Sequence, residues 1–180
     1  MTTATARTIS LERIPYDPVA WGAIVAAHPD AEVFHGPAWL AYLAASQGAE
    51  PVVAAVRADG RTVGHFVGSL VRRFGMRILG SPLRGWGTPC MGFLLDPGVD
   101  RRAVAQALLP FAFGDLKCMH LELADRRLTR ELMAGSDYVI EVGRTFSRVA
   151  PSVSSKTLKA KALPSGQSIR RFASKAPPAL

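Results

Sequence analysis

The residues best suited to chemistry lie in a glycine-rich stretch near the middle of the chain. Residues 80–92 contain four glycines and two prolines, a composition typical of a loop. Within it, Arg84, Trp86 and Thr88 alternate with Gly85 and Gly87. Glycines allow close approach of the backbone to a ligand, an indole offers a stacking face, and a guanidinium can clamp an anion. We predict that Arg84, Trp86 and Thr88 contact a substrate. The alternative is a tight turn with the tryptophan packed beneath it.

Histidines and carboxylates add further candidates. His35 lies directly before Gly36 and Pro37, where its side chain could cap a helix or face a substrate. Glu122 and Asp125 are conceivable general bases, but a carboxylate in a sequence does not reveal its pKa, so the sequence assigns no catalytic residue. No histidine has another histidine or a cysteine four residues on, and we predict no metal site.

The two cysteines, Cys90 and Cys118, lack metal-binding spacing, and we predict that both are buried and reduced. Residues 1–10 have no apolar core of a signal peptide, and no stretch reaches the ~18 apolar residues that cross a bilayer. These features predict a cytoplasmic protein without a transmembrane segment.

Charge is distributed unevenly. The chain has 22 basic and 14 acidic residues, for a net charge of +8. Residues 1–143 hold all 14 acids and 14 of the bases, whereas residues 144–180 hold eight bases and no acid. The folded part is therefore neutral, which argues against a nucleic-acid-binding face there. We predict a domain over residues 1–146 and a poorly ordered basic tail over residues 147–180. The alternative to an enzyme is a binding module whose tail contacts nucleic acid or an anionic membrane.

The pattern of apolar residues, caps and turns predicts a mixed α/β domain. Helices are expected at residues 18–28, 37–47, 101–114 and 126–133, the last one capped by Asp125. Strands are expected at residues 51–57, 62–73, 76–79, 91–95, 118–123 and 138–142. An Asp59-Gly60 turn joins the first two strands as a hairpin.

Several segments together resemble a known family. Phe34-His35-Gly36-Pro37-Ala38-Trp39-Leu40 resembles the "Phe, polar, small, two residues, Trp" signature of FemAB-like acyltransferases, which are built from two GNAT-type lobes. The hairpin over residues 53–70, with Asp59-Gly60 and Val63-Gly64, resembles the GNAT hairpin. Residues 85–89 and 121–126 follow in the order expected of the bacterial FemAB-related acetyltransferases. The resemblance covers residues 10–146, or one lobe.

This resemblance implies a GNAT-like lobe with a mixed, largely antiparallel sheet flanked by helices. It implies an N-acyltransferase that moves an acyl or aminoacyl group to a small-molecule or cell-envelope amine. Acetyl-CoA or another acyl donor would be a co-substrate, with no tightly bound cofactor. His35 and Trp39, within the family-like motif, join Arg84, Trp86 and Thr88 as predicted substrate-binding residues.

The chain also departs from the family. GNAT enzymes grip the CoA pyrophosphate with an Arg/Gln-x-x-Gly-x-Gly/Ala loop at a helix N-terminus. Residues 61–66 and 72–77 match only in part and are predicted to lie on or lead into strands, so no CoA site is assigned. Residues 147–151 do not continue the family's next strand, although residues 168–173 resemble its basic helix. We therefore predict a truncated or frame-altered chain whose donor site would come from a second lobe or a homodimer.

Overall fold

A computed structural model describes residues 8–142 and 167–171. Its elements are strands and helices in mixed order. In sequence these are β1 (Ile9–Ile14), α1 (Pro18–Ala27), α2 (Pro37–Gln47), β2 (Glu50–Ala58), β3 (Arg61–Arg73), β4 (Met76–Ser81), β5 (Gly92–Leu95), α3 (Arg101–Pro110), β6 (His120–Ala124), β7 (Val139–Val142) and β8 (Gln167–Arg171). A 3₁₀ turn at Val33–His35 precedes α2, and a π-helical turn at Phe111–Asp115 follows α3. No helix within these described ranges is long and apolar enough to cross a membrane.

The strands form one sheet in the order β1-β2-β3-β4-β6-β8-β7, with β5 also paired to β3. Every pairing is antiparallel except β4 with β6, which is parallel. Strands β4 and β5 share one edge of β3, since β4 pairs with its C-terminal half and β5 with its N-terminal half. The part of the glycine-rich stretch that lies between β4 and β5, residues 82–91, forms a loop, and we call it the glycine-rich loop. This confirms the predicted mixed, largely antiparallel α/β fold.

Helices cover both faces of the sheet. Trp21 of α1 and Leu40 of α2 belong to a cluster that includes Val53 and Val67 on the sheet. Neighbouring positions on the same strands, such as Val52 and Phe66, join the second cluster with Leu108 of α3. Because successive strand residues point to opposite faces, α1 and α2 lie on one face and α3 on the other. The apolar side chains thus form two cores, one on each side of the sheet.

Local sequence signals explain most of the element boundaries. Asp17 accepts a hydrogen bond from the Ala20 amide at 2.7 Å and starts α1. Asp100 starts α3 in the same way. Asp59 and Gly60 have φ values of 50° and 79°, the left-handed backbone that a type I′ hairpin turn requires. The helix starts predicted at Asp17 and Asp100 and the predicted hairpin are therefore confirmed.

The predicted helix after Asp125 is wrong. Residues 125–137 form a series of turns, with hydrogen bonds such as Leu128 N to Asp125 O at 3.1 Å. The Asp125 side chain accepts from the Arg127 N–H at 2.8 Å, as a cap does, but it is also buried against Arg101, and the chain after it forms turns and not a helix. Strand β1, at the sheet edge, was not predicted because its apolar alternation breaks at Glu12 and Arg13.

Only a small part of the predicted tail is described. Gln167–Arg171 forms β8 and pairs with β6 and β7, where the resemblance suggested a helix. Most of residues 147–180, and the proposed boundary at residue 146, lie outside the described residues. The domain boundary stays a prediction.

Candidate functional site

A cavity of about 320 Å³ opens on the α1/α2 side of the sheet, and we call it the Glu122 cavity. It lies where β4 runs beside β6 and the glycine-rich loop folds over them. Its walls are Val71, Arg73, Ile78, Leu83, Arg84, Trp86, His120 and Glu122. Two guanidinium groups, an imidazole and a carboxylate thus converge on an otherwise apolar wall.

The parallel pairing of β4 and β6 positions the polar groups of this cavity. Ile78 pairs with His120 and Gly80 pairs with Glu122. On β6, His120 and Glu122 alternate with Leu121 and Leu123, which belong to the α3 core. Because alternate strand residues share a face, His120 and Glu122 lie together on the cavity side.

Gly80 allows the loop to close over the strand. A Cβ at this position would meet the Leu83 Cγ at 2.1 Å, far inside van der Waals contact. Leu83 therefore packs directly on the backbone of β4, and the loop begins close to the sheet.

Glu122 holds two partners. Its Oε2 accepts a hydrogen bond from the Arg84 backbone N–H at 2.7 Å, and its Oε1 lies 3.2 Å from the His120 Nε2. Since a carboxylate only accepts, His120 donates through Nε2. The two side chains are only 15% and 21% exposed. A carboxylate-oriented imidazole of this kind can take a proton from a nucleophile.

The sequence analysis named Glu122 as a conceivable base but not its partner. The signal was present in the His-x-Glu spacing of β6, because an i, i+2 pair on a strand shares a face. The pair was not predicted, although residues 118–123 were expected to form a strand on which His120 and Glu122 would share a face.

The five predicted substrate-binding residues lie in three places. Arg84 and Trp86 line the Glu122 cavity. Trp39 donates from its Nε1 to the Thr88 Oγ1 at 3.1 Å, so this pair anchors the glycine-rich loop to α2. His35 lies in a different cavity, described next. The substrate-binding roles themselves stay predictions.

The second cavity, of about 200 Å³, is rich in ion pairs, and we call it the ion-paired cavity. Arg101 pairs with Asp125, and their side chains are only 11% and 5% exposed. Arg126 lies 3.2 Å from Glu32, and Arg127 pairs with Asp30. The remaining walls are His35, Cys90, Met91 and Phe93.

His35 is buried and serves the local backbone. Its Nδ1 accepts from the Glu32 N–H at 2.9 Å, and its carbonyl accepts from the Trp21 Nε1 at 2.7 Å. Burial lowers the pKa of His35 and favours the neutral ring. The ring therefore caps the turn that precedes α2.

Both cysteines are buried and free, as predicted. Burial raises the pKa of Cys90 to about 12 and that of Cys118 to about 11. Neither forms a nucleophilic thiolate near neutral pH. Across residues 8–142 and 167–171, no group of three or more His, Cys, Asp or Glu is arranged to hold a metal ion.

The N-terminus of α3 is occupied by the protein itself. The Asp100 carboxylate accepts from the amides of Arg102 and Ala103 at 3.0 and 3.2 Å. Asp125 beside it accepts from the Phe93 N–H at 3.3 Å as well as from Arg101. The amides that would otherwise attract a phosphate are therefore already satisfied by a carboxylate.

Comparison with known proteins found no matching family model and no matching curated protein. Solved structures similar to this chain include two acetyltransferases. RimJ of Mycobacterium smegmatis, in complex with CoA-disulfide, is 15% identical over 94% of this chain and 84% of that chain, with a TM-score of 0.47. An acetyltransferase of Agrobacterium tumefaciens is 16% identical over 95% of this chain and 94% of that chain, with a TM-score of 0.41. At these values neither likeness bears on the activity of this chain.

Proposed function

We propose that this chain is a GNAT-like acyltransferase lobe of the FemAB-related kind, which binds an amine acceptor in the Glu122 cavity. The observation that supports this most is the Glu122–His120 pair, held under the glycine-rich loop. The reaction class comes from the sequence resemblance of residues 34–40, 53–70, 85–89 and 121–126.

The chemistry of amine acylation fits the groups in this cavity. A primary amine is protonated near neutral pH and must lose a proton before its nitrogen can attack a carbonyl. The Glu122–His120 pair takes that proton, and the Arg84 N–H holds the carboxylate in place. The nitrogen then forms a bond to the carbonyl carbon of a thioester or ester donor. The donor's sulfur or oxygen leaves with the electron pair of the broken bond, and it takes up the second proton that the nitrogen loses as the amide forms.

The walls of the cavity have a second role. Trp86, Leu83 and Ile78 pack around the polar pair and reduce its contact with water. Partial exclusion of water strengthens the interaction between an ammonium group and a carboxylate. These residues are suited to hold the carbon skeleton of an acceptor while its nitrogen faces Glu122.

The donor is proposed to bind outside the α3 N-terminus. Asp100 occupies the amides there, and a pyrophosphate would be repelled by its carboxylate. Acetyl-CoA or another acyl donor would then be held by a second lobe or by a second copy of the chain. The acceptor is proposed to be a small-molecule or cell-envelope amine, and the protein to act in the cytoplasm without a tightly bound cofactor.

A thermal-shift experiment on the full chain tests this function. We expect at least one of L-lysine, D-glucosamine and spermidine to raise the melting temperature. At a hundred times its Kd, a ligand adds about 2.7 kcal/mol to folding stability. Glu122→Gln should abolish the shift, whereas the exposed control Glu131→Gln should keep it.

The same experiment locates the donor. If a separate second lobe holds the donor, acetyl-CoA and free CoA should leave the melting temperature unchanged. A clear shift with either would place the donor site on this chain, in one copy or between two. If no amine raises the melting temperature of a cooperatively melting protein, the proposed acceptor site is wrong.

A further inference from the structure

The tip of the β3–β4 hairpin exposes large apolar side chains to solvent. Phe74, at the turn, is 97% exposed and Met76 is 37% exposed. Met119 is 47% exposed and lies next to the hairpin, because its amide donates to the Arg77 carbonyl at 2.8 Å. These are three of the six large apolar side chains that are exposed in the described residues. Exposed apolar side chains that cluster at one end of the sheet indicate a binding surface.

Basic residues surround this apolar tip. Arg72, Arg73 and Arg77 lie on the two strands of the hairpin, and Lys117 lies two residues before Met119. No acidic residue occurs between Asp59 and Asp96. Residues 1–143 as a whole carry equal numbers of acids and bases, so the positive charge here is a local feature.

The turn geometry places the aromatic ring at the apex. Phe74 and Gly75 have φ values of 51° and 76°, which close the hairpin in two residues. Arg73 pairs with Met76, and Arg72 pairs with Arg77. Because these are neighbouring cross-strand pairs, they lie on opposite faces of the hairpin. The apex therefore has guanidinium groups on both sides.

We propose that this tip surface, formed by residues 72–77 with Lys117 and Met119, docks onto an anionic lipid bilayer. Phe74 and the two methionines would enter the interface between headgroups and acyl chains, and the exposed bases Arg72, Arg73 and Lys117 would lie at the level of the lipid phosphates. An RNA backbone would match the bases, but it offers no apolar layer for two methionines. The proposal does not depend on the acyltransferase function.

One consequence concerns the Glu122 cavity. Arg73 belongs to the tip surface and also lines that cavity. Docking of the tip would therefore bring the rim of the cavity to the lipid surface. An acceptor carried by a membrane component could then reach Glu122 without leaving the bilayer.

Vesicle co-sedimentation of the full chain tests the proposal. We expect binding to vesicles of 70% phosphatidylcholine and 30% phosphatidylserine, and little binding to phosphatidylcholine alone. Phe74→Ser should lower the partition coefficient about tenfold, since serine has no apolar surface to bury in the bilayer. Arg72→Gln with Lys117→Gln should lower the partition coefficient about thirtyfold. Raising the salt concentration should likewise weaken binding of the parent chain, because salt screens the attraction to anionic lipid.

Matched controls separate the tip from other exposed residues and from misfolding. Val19→Ser removes another exposed apolar side chain, and Arg61→Gln with Arg130→Gln removes two bases elsewhere; both should bind like the parent. Unchanged melting temperatures would show that the tip variants still fold. If the tip variants bind vesicles as well as the parent, binding arises elsewhere and the proposal is wrong. It is equally wrong if a polyuridylate RNA, and not the vesicles, shows the dependence on Phe74.

Insertion of the apex can be observed directly. Phe74→Trp should add a fluorescence component that brominated lipids quench. Val19→Trp should add no quenched component, because its indole stays in water. Equal quenching of the two variants would contradict the proposed orientation.

Discussion

The two cavities have similar chemical content and different internal bonding. The ion-paired cavity holds three carboxylates and three guanidinium groups, and each carboxylate is paired with a guanidinium of the same chain. In the Glu122 cavity, the carboxylate is held by a neighbouring imidazole and a backbone amide, and the bases line an open wall. A dense group of charges is thus not by itself a binding site. The first cavity ties elements of the fold together, whereas the second has the groups that proton transfer needs.

The largest expected effect comes from breaking the buried Arg101–Asp125 ion pair. Asp125→Ala leaves the Arg101 guanidinium buried without its carboxylate and removes the acceptor of the Phe93 amide. Breaking a buried pair in this way costs about 3–5 kcal/mol. We expect the free energy of unfolding, measured by urea titration, to fall by that amount. The exposed control Glu131→Ala should change it by less than about 0.5 kcal/mol. A loss below about 1 kcal/mol for Asp125→Ala would contradict a structural role for the ion-paired cavity.

A smaller effect concerns the pH dependence of stability. Burial lowers the pKa of His35 in the folded state, so the unfolded chain binds a proton at higher pH than the folded chain. Stability therefore falls as the pH is lowered through the ordinary histidine pKa near 6.5, with a slope of at most about 1.4 kcal/mol per pH unit for this group. His65 has a lowered pKa for the same reason and contributes in the same direction.

The measurement is the melting temperature between pH 7.5 and 5.0. His35→Gln should reduce the slope, and the change should be additive with that of His65→Gln. If neither variant alters the slope, the two rings are not held neutral by the fold.

The smallest expected effect concerns the anchor of the glycine-rich loop. Trp39→Phe keeps the ring packing with Phe34 but removes the N–H that Thr88 accepts. Loss of one such hydrogen bond costs about 1 kcal/mol. We expect a lower melting temperature and weaker amine binding, because Arg84 and Trp86 belong to the loop that is loosened. Tyr42→Phe, on the same helix, is the control and should change neither quantity. Equal effects of the two substitutions would remove the argument for a loop anchor.

Much of the fold follows from local signals in the sequence. Asp17 and Asp100 cap helices, and Asp59-Gly60 turns a hairpin, because each depends on residues within four positions. Asp125 resembles Asp100 in sequence and likewise accepts from the amide two residues on, but it also has a buried guanidinium partner and no helix follows it. Its burial depends on Arg101 of α3 and on β5, elements that are distant along the chain. A sequence pattern cannot distinguish a capping carboxylate from a buried one when the partner lies on another element.

The candidate site was predicted only in part, because some of its residues are marked by local sequence signals and others depend on distant elements. Arg84 and Trp86 were predicted because they stand next to Gly85 and Gly87 in a glycine-rich loop, a pattern that is visible in the local sequence. His120 and its contact with Glu122 depend on which face of β6 meets the loop, and that depends on the pairing of β4 with β6. His35 was placed with them by its motif, but the fold directs it to the ion-paired cavity.

The non-enzymatic alternative stays open to a direct test. A binding module that acts through its basic tail should bind RNA with a steep salt dependence. Replacing Lys156, Lys159, Lys161 and Lys175 with glutamine, which leaves the sequence of β8 intact, should abolish that binding. We expect weak RNA binding that Glu122→Gln does not alter.

The most direct test of the central claim compares one carboxylate from each cavity. Calorimetric titration of the parent chain, Glu122→Gln and Glu32→Gln with the amine that gives the largest thermal shift would measure both. The account predicts that Glu122→Gln raises the Kd at least tenfold, a loss of about 1.4 kcal/mol, and that Glu32→Gln changes it less than twofold. The reverse order would place the amine in the ion-paired cavity and contradict the assignment of the Glu122 cavity as the acceptor site.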